Sequence, residues 1–261
     1  MREKRSFRSG RMGKGIYILP NLFTTANLFC GVYAAVAAMK GLFEIAALNI
    51  MFSAVLDTLD GRIARMTNTT SKFGSEYDSL VDLVAFGVAP GLLAYAWALG
   101  SFGKWGWIAA FLFIACGALR LARFNVQIGS IDSRFFNGLP IPAGAVMVAT
   151  SVLLYFQCGG EGTFPHPVIL VGVFALALLM VSSVKFYSFK DLNFFARKPF
   201  MSLVLVVLIL VIVFAEPQIM IFTFIAGYCL SGPVWLLYKL AKKSAEKFRE
   251  RKDSFPKQIL L

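Results

Sequence analysis

The sequence predicts an all-α, polytopic membrane bundle of about eight transmembrane helices with both termini in the cytoplasm. Three observations carry that prediction. Of 261 residues, 58% are hydrophobic and only 15% charged, whereas a soluble domain has roughly 25% charged residues and about half apolar. The apolar residues fall in long uninterrupted runs, with a mean hydropathy of +0.71, the mark of membrane-spanning helices. Between those runs, Lys and Arg collect in every second connection. A soluble globular enzyme, a disordered chain and a disulfide scaffold are excluded.

A spanning helix needs about 20 apolar residues. Suitable runs lie at 19–39, 42–61, 79–99, 105–122, 140–157, 166–187, 199–215 and 217–238. The last two are separated only by Glu216-Pro217, which reads as a tight turn or as a kink in one long helix. Charge decides between these readings. With eight spans and a cytoplasmic N-terminus, 24 of the 26 Lys and Arg lie inside, and only Lys40 and Lys104 lie outside. Seven spans would put the eight cations from Lys239 to Lys257 outside. Cytoplasmic loops gather Lys and Arg, so eight spans are expected. The net charge of +12 is then a signature of topology, and no nucleic acid partner is expected.

The expected organisation is a basic cytoplasmic arm (1–16), one membrane domain (17–240) and a basic cytoplasmic tail (241–261). The tail reads either as a juxtamembrane helix on anionic lipid or as a solvated helix end. No internal repeat stands out. Cys30, Cys116, Cys158 and Cys229 have no C-x-x-C spacing and read as packing residues. The single histidine, His166, flanks a helix start and reads as structural. The first apolar run is too long for a cleavable signal peptide, and no small-residue cleavage site follows it.

Acidic residues near hydrocarbon are costly, and are functional suspects there. Asp57, Asp60, Asp78 and Asp82 gather at the cytoplasmic ends of spans two and three. Asp57 and Asp60 are spaced i,i+3, and Asp78 and Asp82 i,i+4. Each pair therefore shares a helix face, and a short loop brings the second helix back beside the first. Four carboxylates at one depth repel unless protons or cations neutralise them. Oxygen ligands without Cys or His point to Mg²⁺ or Mn²⁺ rather than zinc. Such sites usually complete their shell with substrate phosphates. Gly61, Gly74 and the small Ala64 leave room for a ligand against the backbone. Arg62 and Arg65 supply positive charge for an anion.

The stretch from Asp57 to Asp82 reads D-x2-D-G-x2-A-R-x8-G-x3-D-x3-D. It resembles the signature of the CDP-alcohol phosphotransferase family at every defined position: Asp57, Asp60, Gly61, Ala64, Arg65, Gly74, Asp78 and Asp82. The segments from Leu19 to Gly31, Arg120 to Asn125 and Asn137 to Pro142 resemble the integral-membrane branch whose acceptor is L-serine. Eight spans also suit that branch.

The resemblance implies transfer of a phosphatidyl group from CDP-diacylglycerol to the serine hydroxyl, with CMP released. It implies that Asp57, Asp60 and Asp78 are metal ligands, with Asp82 at the edge of a two-metal site and also the general base. It sets the donor against Asp57, Gly61, Ala64, Arg65 and Gly74. Thr24 and Asn27, i,i+3 on the first span, either line that donor site or hydrogen-bond between helices. A serine pocket needs a cation, for which Arg120, Arg123 and Lys185 are candidates, with Asn125 nearby. A homodimer in the cell membrane, surrounded by lipid and with its active site at the cytoplasmic face, is also implied. Two alternatives stay open: another acceptor such as glycerol 3-phosphate or an inositol phosphate, and a cation transporter. The cytoplasmic position of the carboxylates and the lack of a repeat weigh against the transporter.

Overall fold

The computed structural model describes residues 18–66, 71–127, 135–187 and 216–253. The expected seventh span, the N-terminal arm and the last residues of the tail lie outside these segments. Within them the architecture is helical, with one pair of three-residue strands.

Helix α1 (Ile18–Met39) and helix α2 (Phe43–Met66) form an antiparallel hairpin. The chain reverses at Gly41, whose φ of 77° lies in the left-handed region that glycine enters freely. The two helices pack extensively through small side chains, among them Ala34, Ala37, Ala38, Ala46 and Ala47, all buried. Small residues at the seam let helix axes approach closely, which is how helices associate in lipid.

Ser71 caps the next helix, its hydroxyl accepting from the Gly74 amide at 3.0 Å. That helix, α3 (Lys72–Phe102), runs for 31 residues. It widens to π-helical turns at Leu83–Val88 and again at Tyr95–Leu99. Pro90 lies between these turns. It has no N–H to give to the preceding turn and crowds it, and a widened turn is a common relief. Gly31 of α1 meets the first widened turn. A Cβ there would stand 2.7 Å from the Ala85 Cα, so α1 and α3 approach as only glycine allows.

Helix α4 (Lys104–Gln127) returns alongside α3. Strand β1 (Phe135–Asn137) precedes helix α5 (Ile141–Gln157), which Pro140 and Pro142 open. Pro suits the first turn because those N–H groups lack helical partners anyway. Helix α6 (Pro167–Val181) starts at His166, whose Nδ1 accepts from the Val168 amide at 3.3 Å. The histidine is thus a helix cap.

The sequence reading carried the sixth span to residue 187, but the helix ends at Val181. The Ser182 hydroxyl donates to the Leu179 carbonyl at 2.8 Å, and so competes with continued helix. The chain then turns into strand β2 (Lys185–Tyr187), which pairs antiparallel with β1, Asn137 opposite Lys185. Helix α7 (Pro217–Asp253) spans 37 residues. The Lys239 ammonium sits 5.4 Å from the centre of the Trp235 ring, an arrangement suited to a membrane interface.

Among the described residues, four helices are long and apolar enough to cross a membrane: 21–39 within α1, all of α3, 104–126 within α4 and 217–239 within α7. Helix α2 carries too many charges at its end to qualify, since Asp57, Asp60, Arg62 and Arg65 all lie there. Helices α5 and α6 are apolar but shorter, at 17 and 15 residues. Phe29, Val32 and Val36 of α1 and Leu48, Phe52 and Val55 of α2 are exposed. Contiguous apolar faces of this kind belong against hydrocarbon rather than water.

Candidate active site

The site lies where α2 ends and α3 begins. Asp57, Asp60 and Asp78 each bring a carboxylate oxygen within 4.8 Å of the others. Asp82 lies one turn further along α3, close to Asp57. Asp60 is buried and the other three are half-buried. Asp78 Oδ1 and Asp82 Oδ1 are both buried and have no hydrogen-bond partner. Orphaned carboxylate oxygens in a crowded acidic cluster are expensive, and a divalent cation would satisfy them. The all-oxygen donor set fits Mg²⁺ or Mn²⁺.

Two residues of α1 stand behind this cluster. The buried Thr24 hydroxyl donates to Asp60 Oδ2 at 3.1 Å. Asn27, fully buried, accepts from the Ser53 hydroxyl of α2. Both residues thus make hydrogen bonds from α1 to α2. Among the described residues, a side chain at Gly61 would meet nothing within 4 Å, whereas at Gly74 it would approach the Ser71 hydroxyl at 3.1 Å. Ala64 and Arg65 follow on the next turn of α2.

A pocket of about 150 Å³ adjoins the cluster. Asp78 and Asp82 form its edge. Ser75 and Ser79 of α3 line it, with Arg120 and Asn125 of α4 and the first turn of α5 at Pro140–Pro142. Arg120 Nε is buried without a hydrogen-bond partner. Asn125 Nδ2 donates to the Ser79 hydroxyl at 3.0 Å. The other two residues expected here are Arg123 and Lys185. Arg123 Nη1 donates to the Val181 carbonyl at 3.4 Å, tying α4 to the end of α6. Lys185 lies on β2. A larger cavity of about 300 Å³ between α3, α5, α6 and α7 is lined mainly by apolar residues such as Trp97, Met147 and Phe222, with Ser151 and Cys229, and with no acidic, basic or histidine side chain among the described residues.

Sequence reasoning missed Ser75 and Ser79. A signal for them existed: Ser75, Asp78, Ser79 and Asp82 follow i,i+3,i+4,i+7 and so form one stripe of α3. One helix thus presents metal-type carboxylates and hydroxyls to the same space.

The CDP-alcohol phosphatidyltransferase profile matches residues 17–185. A CDP-diacylglycerol–serine O-phosphatidyltransferase of Helicobacter pylori is 39% identical over 232 residues, covering 87% of this chain and 94% of its own. The Bacillus subtilis protein of the same name is 36% identical over 172 residues, 66% of this chain and 91% of its own. An archaetidylserine synthase of Methanothermobacter thermautotrophicus is 34% identical over 170 residues, 64% of this chain and 69% of its own. The chain belongs to the CDP-alcohol phosphatidyltransferase family.

Proposed function

We propose that the protein transfers the phosphatidyl group of CDP-diacylglycerol to the hydroxyl of L-serine, giving phosphatidylserine and CMP. The observation that carries this reading is the shared edge at Asp78 and Asp82, where a metal-type carboxylate cluster meets a small polar pocket holding Arg120 and Asn125. The pocket has the size and charge for a small zwitterion. The names of the three relatives all carry serine, and the archaeal one pairs it with a different lipid.

In this reading Asp57, Asp60 and Asp78, with Asp82 at the edge, hold two divalent ions. Ions held there would neutralise the donor diphosphate and the charge that develops on CMP. The open face at Gly61 admits the nucleotide, and the Arg65 guanidinium suits a phosphate. Thr24 holds Asp60 from behind, and Asn27 ties α1 to α2 through Ser53. Arg120 and the N-terminal turn of α5 present positive charge to the serine carboxylate. Asp82 takes the hydroxyl proton as the serine oxygen bonds to the lipid-bearing phosphorus. The bond from that phosphorus to the bridging oxygen breaks, and its electron pair leaves with CMP. A carboxylate is a weak base, made effective here by position.

The distribution of Lys and Arg supports eight spans with both termini and the active site at the cytoplasmic face of the cell membrane. The basic arm at 1–16 and the basic tail at 241–261 then flank one membrane domain at 17–240. The family resemblance supports a homodimer.

The test is CMP release by the purified protein in detergent with CDP-diacylglycerol. Release should require both L-serine and Mg²⁺ or Mn²⁺, stop with EDTA and fall by at least a hundredfold in Asp82→Asn, within the range of a lost general base. Release that survives chelation, or that Asp82→Asn leaves intact, would overturn the mechanism. No release with any alcohol would revive the transporter reading.

A further inference from the structure

The Ser79 hydroxyl is engaged on both sides. It lies 3.1 Å from the Ser75 carbonyl, one turn back on α3, and donates its single proton there. It therefore meets Asn125 as an acceptor, and the amide turns Nδ2 toward it at 3.0 Å. Asn125 Oδ1 is 3.4 Å from the same hydroxyl, too long to compete with the Ser75 carbonyl for that proton. A carbonyl oxygen has two lone pairs, so Oδ1 keeps acceptor capacity in a residue that lines the pocket. The opposite polarity is nearby. Arg120 Nε is a buried donor without a partner in the same pocket. One pocket thus offers a cation and a fixed carbonyl dipole beside Asp82. A carboxylate seeks the first and an ammonium the second.

We propose that Ser79 is a positioning residue for acceptor choice: it fixes the Asn125 amide so that Oδ1 receives the ammonium of an amino-acid acceptor. The inference rests on the serine reading above and deepens it. A free amide can rotate and present either end, and a rotated Asn125 would offer N–H groups to an ammonium and repel it. Ser79 prevents that rotation without touching the reacting atoms. The predicted consequence is discrimination against acceptors that match serine but lack the amino group.

The probe pair is L-serine and glycerate, which differ by an amino group against a hydroxyl. CMP release is measured for wild type, Ser79→Ala, Ser79→Thr and Asn125→Leu, with thermal unfolding followed in the same detergent. Ser79→Ala should raise the serine KM about tenfold, the scale of one hydrogen bond, with kcat within about twofold. Its weak use of glycerate should not change, so the serine preference collapses. Ser79→Thr keeps the hydroxyl and should restore the wild-type KM. Asn125→Leu should lose the preference by a separate route. If wild type uses serine but Ser79→Ala keeps its KM, or loses serine and glycerate equally, the role of Ser79 is overturned alone. If wild type does not use serine, the acceptor reading falls first, and the Ser79 role with it.

Discussion

Thr24 shows how a single hydrogen bond can serve chemistry it does not perform. Its hydroxyl donates to Asp60 Oδ2 at 3.1 Å in a buried setting, and so holds one carboxylate of the cluster in orientation. Charge-assisted hydrogen bonds of this kind contribute about 1.5–3 kcal/mol. Thr24→Val keeps the shape and removes the donor. It should raise the metal concentration needed for half-maximal CMP release about tenfold, with activity recovering at saturating metal. An unchanged metal dependence would show that Asp60 needs no such support. The acidic residues themselves were legible in the sequence because carboxylates at i,i+3 and i,i+4 among apolar runs have little other use. The role of Thr24 was not, since a polar residue on a span can face either a ligand or a neighbouring helix. Only the position of α2 decides.

The helices divide along the same line. The starts of α3, α5 and α6 follow from Ser71, Pro140 and His166, which supply or excuse the missing partners of a first turn. Hydropathy could not show that α6 stops at Val181, because Val184 and Phe186 are as apolar as the residues before them. Ser182 and the pairing of β2 with β1 end it instead. Nor could it show the widened turn of α3 just beyond Asp82, where Ala85 presses on Gly31. The orientation of the spans remains a matter of charge, and it can be measured one connection at a time. Cys158 is exposed and is first replaced by serine. An impermeant thiol reagent added to intact cells should then label Lys40→Cys and Lys104→Cys. Lys72→Cys should react only after permeabilisation. Labelling of the Lys72 site from outside would contradict a cytoplasmic active site.

At the scale of the molecule, sequence-local signals and tertiary proximity made different parts of the site. The carboxylate cluster comes from one hairpin of the chain, α2 followed by α3, and its residues lie within one short stretch. The adjoining pocket draws on α3, α4 and α5 together. Arg120 and Asn125 were reasonable candidates because a serine site needs a cation and a polar group. Nothing in the spacing separated Arg120 from Arg123, three residues on, which binds the Val181 carbonyl instead. The pocket therefore carries the acceptor assignment, and the cluster carries the reaction class. The most direct measurement of the whole account is a competition. The purified protein receives CDP-diacylglycerol and Mn²⁺ with equal L-serine, glycerol 3-phosphate and inositol phosphate, and the lipid product is identified by mass. The account predicts phosphatidylserine as the dominant product, formed in step with CMP. A phosphatidylglycerol phosphate or phosphatidylinositol phosphate product would contradict it, and would mean that Arg120 and its neighbours serve a phosphorylated alcohol.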